Sequence, residues 1–245
     1  IKSNAFNRCV GFNKLILPKF LTSIGDNSFF DCASLKGELK IPETVVSIGS
    51  GAFSYCAGFN CELHLPDIEI IESSVFSDCL NLIGSLHIPL SVVKIGFKAF
   101  YRCEKLTNLF ITGNVILIES SAFEKCSGLS YLSLPNNLQF IDNYAFKDCY
   151  CLSGTLEIPS SVKIIGERAF YSCNNFFELV IQSNNIQMNN EAFANTSFSK
   201  VYYYGSSEPF CGSHVFPKHQ KLEFASYDHD AFCGIKLRLN GLDIA

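Results

Sequence analysis

The sequence predicts a repeat solenoid, mostly β with short helical or 3-10 turns. The first observation is a Phe-x-x-Cys unit that recurs along the chain in steps of 23 or 24 residues. The second is a short alternating apolar segment in each copy. The third is that one such copy is too small to bury its own apolar side chains, so neighbouring copies must stack to form a common core.

The repeats are indexed on their phenylalanine. A ninth copy, at Phe193, has Thr196 in place of the cysteine. The eight complete pairs are Phe6/Cys9, Phe29/Cys32, Phe53/Cys56, Phe76/Cys79, Phe100/Cys103, Phe123/Cys126, Phe146/Cys149 and Phe170/Cys173. We assign residues 1–203 to one solenoid of about nine repeats with a truncated first repeat, and residues 204–245 to a C-terminal capping region.

Composition and motifs exclude several classes of protein. The net charge is −4, so the basic surface typical of nucleic-acid binding is not expected. No apolar run reaches the roughly 18 residues of a membrane-spanning helix, and we expect no membrane insertion within this segment. The sequence contains no nucleophile elbow, zinc-protease motif or phosphate-binding loop, so we expect neither an enzyme nor a cofactor.

The first element of each repeat is a short strand. In segments such as LHI at 86–88 the outer residues are apolar and the middle residue varies, and this alternation directs one face to the core and the other to solvent. A proline ends most of these segments because it cannot donate to a β-ladder. The nine segments are 15–17, 39–41, 63–65, 86–88, 109–111, 132–134, 156–158, 179–181 and 201–203.

Four repeats carry an extra residue directly before the strand. The four segments are LKGEL at 35–39, FNCEL at 59–63, LIGSL at 82–86 and LSGTL at 152–156. An added residue before a paired strand is commonly a β-bulge, and Gly37, Gly84 and Gly154 suit that conformation. We therefore predict bulges in these four repeats.

The rest of the repeat reads V-x-x-I-G followed by A-F-x-x-C. The first part predicts a second short extended stretch that ends at a glycine bend. The second part is too short for an independent helix and predicts a single helical or 3-10 turn. Two repeats depart from this pattern: the third is one residue shorter after its strand, and the ninth has Asn185 and Met188 at the Val and Ile positions.

Twelve cysteines are present, eight of them in the Phe-x-x-Cys column. We interpret that column as buried free thiols that replace leucine in the core. Disulfides between adjacent repeats are disfavoured because parallel side chains rarely reach the required torsion, and the spacing does not suit a zinc site. Cys211 and Cys233 fall in the capping region, where a disulfide between them is an open alternative if the protein is secreted.

Candidate binding residues lie on the outward face of the strands, where packing does not restrict residue type. Around its middle, aromatic and ionisable side chains occupy successive repeats, and exposed aromatic residues are typical of binding hot spots. An ordinary solvated surface is the alternative interpretation. The candidate residues are Lys40, Glu62, His64, His87, Phe110, Tyr131, Ser133, Glu157 and Tyr202.

The ordered markers C-x-x-L-x-x-L-x-I-P-x-S-V-x-x-I-G-x-x-A-F-x-x-C resemble BspA-like leucine-rich repeats, in which Cys stands where other leucine-rich repeats have Leu. The match covers roughly residues 1–203 and is closest in style to surface proteins of a mucosal protozoan parasite. The C-terminal stretch beginning VYYYGSSEPFCG resembles the terminal cap of those proteins. The resemblance implies a right-handed leucine-rich-repeat superhelix, but it transfers no binding residues.

The resemblance also implies a role in adhesion, because members of the family include surface and secreted proteins that bind host extracellular-matrix components and other cells. We expect a non-enzymatic binding module, secreted or at the cell surface, that contacts a protein or glycan. A cytoplasmic scaffold for protein interactions is the alternative. The chain starts within a repeat, so we expect upstream sequence in the full-length protein, and the uncapped first repeat predicts self-association.

Overall fold

The computed structural model describes residues 1–217, 223–225, 231–233 and 235–236. They form a parallel β-solenoid in which each repeat is one turn, as predicted. In chain order the strands are β1 (Ser23–Ile24), β2 (Ser47–Ile48), β3 (Ile70–Ile71), β4 (Gly84–Ile88), β5 (Lys94–Ile95), β6 (Leu106–Ile111), β7 (Leu117–Ile118), β8 (Tyr131–Ser133), β9 (Phe140–Ile141), β10 (Ser153–Ile158), β11 (Ile164–Ile165), β12 (Asn175–Ile181), β13 (Gln187–Met188), β14 (Lys200–Tyr203), β15 (Phe210–Cys211), β16 (Glu223–Ala225), β17 (Ala231–Phe232) and β18 (Ile235–Lys236).

One side of the solenoid is built from the two-residue strands of the V-x-x-I-G segments. Seven of them form a parallel sheet in the order β15-β13-β11-β9-β7-β5-β3, and β1 pairs separately with β2. The pairing is in register from repeat to repeat, for example Ile71 with Ile95 and Ile118 with Ile141. The second extended stretch predicted for each repeat is therefore confirmed.

The other side carries the longer strands, and it is interrupted. The strands β4, β6 and β8 form a three-stranded sheet, and β10, β12, β14 and β16 form a four-stranded sheet. The prediction of a strand in every repeat is wrong for segments 15–17, 39–41 and 63–65. No strand forms there, and pairing in this part of the solenoid is limited to two isolated bridges, Gly37 to Phe59 and Lys40 to His64. The partner offset changes from 22 to 24 residues between these two bridges, so no continuous ladder can form.

Register shifts occur at two of the four predicted positions, but the residue left unpaired lies on the neighbouring strand. The register shifts between Gly84 and Ser85 in β4, where Thr107 of β6 is skipped, and between Gly154 and Thr155 in β10, where Phe177 of β12 is skipped. Gly84 and Gly154 have φ angles of +76° and +84°, a region that glycine adopts without steric strain. The extra residues of the other two repeats lie outside the paired strands, so register shifts accompany only two of the four extra residues.

The predicted helical turn is wrong: the described residues contain no helix. The A-F-x-x-C segment is a run of tight turns in which Cys32 N–H donates to the Phe29 carbonyl within the repeat. Phe29 N–H instead donates to the carbonyl of Ala52 in the next repeat, at 2.8 Å. Successive N–H groups therefore donate in turn within the repeat and to the next repeat, and positive φ angles at Asn27 (50°) and Asp31 (55°) accompany this alternation. Bonding between repeats thus uses N–H groups that a helix would need.

A column of phenylalanine rings fills the centre of the solenoid. Rings of successive repeats stack nearly parallel, with centroids 5.1–5.6 Å apart. The column runs from Phe6 to Phe216, and its members from Phe29 to Phe193 are at most 1% exposed. Phe216 continues this register beyond residue 203, and the division into solenoid and cap at that position stays a prediction.

The third and ninth repeats are irregular, as their sequences indicate. In the third, Ile68 N–H bonds the carbonyl of Pro66, two residues back, whereas other repeats span three. In the ninth, Asn185 does not take the inward Val position: it is exposed, and Ile186 is buried instead. Met188 fills the Ile position and is fully buried. The solenoid absorbs both changes without losing its core.

Candidate binding surface

The strand face is the surface formed by the outward residues of the longer strands and the equivalent positions of the first repeats. In β4, Leu86 and Ile88 are buried while His87 between them is exposed. Lys40, Glu62, His64 and Glu157 are also exposed. Among the remaining candidates, Tyr131 is exposed, and the half-buried residues are Phe110, Ser133 and Tyr202.

Three of the predicted residues form a continuous aromatic strip, defined here as His87, Phe110 and Tyr131. The rings of His87 and Phe110 stack with centroids 4.6 Å apart and planes 7° apart. The rings of Phe110 and Tyr131 are 5.2 Å apart and tilted by 42°. The strip crosses β4, β6 and β8, so the sheet holds all three rings in place. Offset and tilted ring pairs of this kind are favourable.

The other candidates are dispersed along the strand face. Lys40 lies near its N-terminal end and pairs with Glu38 at 3.1 Å, an exposed ion pair of small energetic value. His64 belongs to the segment outside the regular strands, and its backbone bridges to Lys40. Tyr202 lies on β14, four repeats beyond Phe110. The structure therefore divides the predicted patch into a central strip and separate flanking residues.

Ser133 and Glu157 line a cleft that sequence reasoning missed. The cleft has a volume of about 240 Å³ and lies where β8 and β10 fail to pair. We call it the β8–β10 cleft. Its lining residues are Tyr131, Leu132, Ser133, Leu134, Asn136, Thr155, Glu157, Pro159 and Gln182. Leu132 and Leu134 are only partly buried there, whereas the matching Leu156 and Ile158 are at most 1% exposed.

The extra residue in four repeats explains where the strand face breaks. A strand pairs along its length with the strand of the preceding repeat only when its own repeat lacks the extra residue, as β6, β8, β12 and β14 do. Where the extra residue is present, a backbone bond forms at the entry, such as Ser153 N–H to the Ser130 carbonyl, but no regular ladder with the preceding strand follows. The length of each repeat is thus the sequence signal for these breaks.

Charged groups on the opposite, turn side are largely paired with one another. Arg102 contacts Asp78 at 2.9 Å, and Lys147 contacts both Glu124 at 3.1 Å and Asp148 at 3.0 Å. These pairs link one repeat to the next or bridge adjacent residues. Because their charges are already satisfied by neighbours, the turn side offers fewer free groups to a partner than the strand face does.

The cysteine column is buried and makes hydrogen bonds that the sequence did not predict. From Cys32 to Cys173, each thiol donates to the carbonyl of the phenylalanine in the preceding repeat, with Sγ···O distances of 2.9–3.2 Å. Burial raises the pKa of these thiols, to about 12 for Cys56. Cys9 alone in the column is half-buried. No group that could hold a metal ion occurs among the described residues.

Cys211 and Cys233 form a disulfide, with their Cα atoms 5.3 Å apart. The bond joins β15 to the turn that follows β17. Of the two alternatives left open by the sequence, the structure has the bridged form. The remaining ten cysteines are free.

These features define a leucine-rich-repeat solenoid with a rigid, variable strand face. The sequence matches the profile of the BspA type leucine rich repeat region over residues 1–115 and 93–223, in six copies, and the chain belongs to this family. Proteins of this family are repeat modules for protein interaction and are generally non-enzymatic. No curated protein matches the chain.

Three solved structures similar to this chain are leucine-rich repeat proteins of bacteria. A leucine rich cell surface protein of Faecalibacterium prausnitzii has a TM-score of 0.56 at 19% identity, covering 96% of this chain and 68% of its own. The Leucine Rich Repeat protein of T. pallidum has a TM-score of 0.56 at 28% identity, covering 62% of this chain and 70% of its own. A leucine-rich repeat protein of Bacteroides ovatus is 24% identical over 86% of this chain and 74% of its own, with a TM-score of 0.49. The closer likeness to protozoan versions stays a prediction.

Proposed function

We propose that this protein is a non-enzymatic adhesion module, secreted or displayed at the cell surface, whose strand face binds a protein or glycan in host-cell or matrix recognition. The observation that carries the proposal is the aromatic strip. Its three rings are stacked, accessible and fixed by a sheet, so binding need not order flexible side chains first. Family membership supports a binding role, because members are interaction modules.

The disulfide favours the secreted or surface form over the cytoplasmic scaffold. Disulfides persist in oxidising compartments and are rare in the cytosol, and Cys211 and Cys233 are bonded here. Among the described residues no helix has the length and apolarity to cross a membrane. Non-reducing electrophoresis of the natural protein tests the compartment: a mobility shift abolished by Cys211→Ser supports secretion, and a fully reduced protein favours the scaffold.

The strand face is tested by binding to a coat of solubilised extracellular matrix. The double variant Phe110→Ala/Tyr131→Ala removes two rings of the strip and should reduce binding at least about tenfold, since hot-spot aromatic residues contribute about 2 kcal/mol or more. The matched control is Tyr55→Ala/Phe97→Ala, which removes two exposed rings from the turn side. Equal binding by the two double variants would refute the strand face as the binding surface.

A further inference from the structure

The β8–β10 cleft has a shape suited to a small ligand. It opens on the strand face between two sheet edges, and it is bordered by Tyr131, the last ring of the aromatic strip. Its volume of about 240 Å³ is below the roughly 300–1,000 Å³ of sites for drug-sized molecules. A single ring-sized group fits such a cleft, while the rest of a larger ligand can extend along the strip.

The polar side chains of the cleft are available to a ligand. Tyr131, Ser133, Asn136 and Glu157 make no hydrogen bond or ion pair through their side chains within the described part of the protein. Thr155 differs, because its hydroxyl contacts the Glu178 carboxylate at 3.1 Å. Together these groups offer hydroxyl and amide donors and a carboxylate acceptor. They converge from β8, β10 and the turn after β8.

The charge of the lining selects among ligand classes. Glu157 is its one charged residue, and neither lysine nor arginine lines the cleft. A phosphate, sulfate or carboxylate group would meet a negative charge with no compensating cation, so anionic ligands are disfavoured. Neutral hydroxyl groups are favoured, since a carboxylate accepts hydrogen bonds from them and such charge-assisted bonds are the stronger kind.

We infer that the β8–β10 cleft binds the terminal residue of a neutral oligosaccharide, with Glu157 accepting hydrogen bonds from its hydroxyl groups. The following residues of the saccharide lie along the aromatic strip, where their C–H groups pack against the exposed ring of Tyr131 and the ring edge of Phe110. This inference rests on the proposed function and specifies the ligand of the same face. It also gives a role to the break in the sheet, which exposes polar groups that a continuous ladder would cover.

The test uses the full chain on an array of neutral glucosyl, galactosyl, mannosyl and fucosyl oligosaccharides, alongside sialylated and sulfated ones. The protein should retain neutral probes and not the acidic ones. Glu157→Ala should weaken that binding about tenfold or more, the loss expected for hydrogen bonds to a charged acceptor. Glu38→Ala is the matched control, because it removes an exposed glutamate of the same face outside the cleft.

Three results would overturn the inference: no neutral probe retained, acidic probes preferred, or equal effects of Glu157→Ala and Glu38→Ala. Periodate oxidation of the saccharides in the matrix coat distinguishes failure of the saccharide inference from failure of the proposed function. If periodate leaves matrix binding intact while Phe110→Ala/Tyr131→Ala abolishes it, the partner is a protein, and only the saccharide inference fails. If that double variant binds matrix like its control, the proposed function itself fails.

Discussion

The column cysteine does more than fill the place of a leucine. From Phe6 to Phe146, the carbonyl of the column phenylalanine accepts two hydrogen bonds, one from the N–H of its own cysteine and one from the thiol of the next repeat. A leucine at this position would keep the backbone hydrogen bond and lose the second one, and an intramolecular hydrogen bond contributes roughly 0.5–1.5 kcal/mol. Thr196 shows the limit of substitution, since its hydroxyl bonds to Phe193 of its own repeat at 2.7 Å and not to the preceding one.

Thiol reactivity should distinguish the free cysteines. Burial raises the pKa of the column thiols, and only the thiolate is reactive, so at pH 8 Ellman's reagent should react with at most Cys9 and Cys151 in the folded protein. Cys151 is the exposed one and should supply the fast phase. Cys151→Ser should remove that phase, and Cys61→Ser should leave it. Rapid reaction of further thiols before unfolding would contradict this account.

Within the repeat, one inserted residue has effects at two levels. Locally it bends the chain at a glycine with positive φ, as in β4 and β10. Between repeats it displaces the strand from the preceding one, which divides the strand face into separate sheets. The cleft that we propose as a saccharide site follows from such a displacement, so a length difference of one residue generates a surface feature.

Substitutions at two equivalent glycines, Gly84 and Gly154, distinguish backbone strain from side-chain crowding as causes of lost stability. At Gly154 a Cβ atom would have no neighbour within 4 Å, whereas at Gly84 it would lie 2.5 Å from Oε1 of Glu62. Gly154→Ala should therefore lower the free energy of unfolding by about 1–2 kcal/mol, the cost of positive φ in a residue with a Cβ. Gly84→Ala should lower it further, because the Glu62 side chain must also move.

Urea denaturation measures both effects, and Glu62→Ala supplies the control background. When Glu62 is truncated, Gly84→Ala should lower the free energy of unfolding by the same amount as Gly154→Ala. If the difference between the two glycine variants persists in that background, crowding by Glu62 is not its cause.

Contacts between neighbouring repeats stabilise the solenoid, and its buried thiols make the free energy of unfolding depend on pH. Eight of the free cysteines are buried, and burial raises the folded-state pKa values of all eight. A group whose folded pKa is raised contributes stability that is complete below the unfolded pKa, about 8.5 for a thiol. That contribution is lost as pH rises towards the folded value, about 12 for Cys56.

We therefore expect the free energy of unfolding to decrease above about pH 8.5, by up to about 1.4 kcal/mol per pH unit for each buried thiol. Urea titrations under nitrogen between pH 7 and about pH 9.2 measure this slope before lysine and tyrosine titrate extensively. Cys103→Ala should reduce the slope by the contribution of one thiol. Equal stability at both ends of this range would show that the column does not stay protonated on folding.

Much of this architecture was predictable because it depends on periods within the sequence. The 23- to 24-residue spacing identified the repeat and its stacked phenylalanines, and the period-two alternation assigned residues such as His87 and Phe110 to the outer face. Both inferences need only the geometry of one strand and the equivalence of successive repeats. The inward position of the cysteines followed from the same equivalence.

Properties that depend on contacts between repeats required the three-dimensional structure. The helical turn expected for A-F-x-x-C is absent because its N–H groups donate to the neighbouring repeat, and that competition is invisible within one repeat. The break between β8 and β10 depends on the relative register of two strands, and so do the convergence of Tyr131, Ser133 and Glu157 and the stacking angles of the strip. Sequence periodicity establishes which residues face outward, but only the packing of successive turns decides which of them meet.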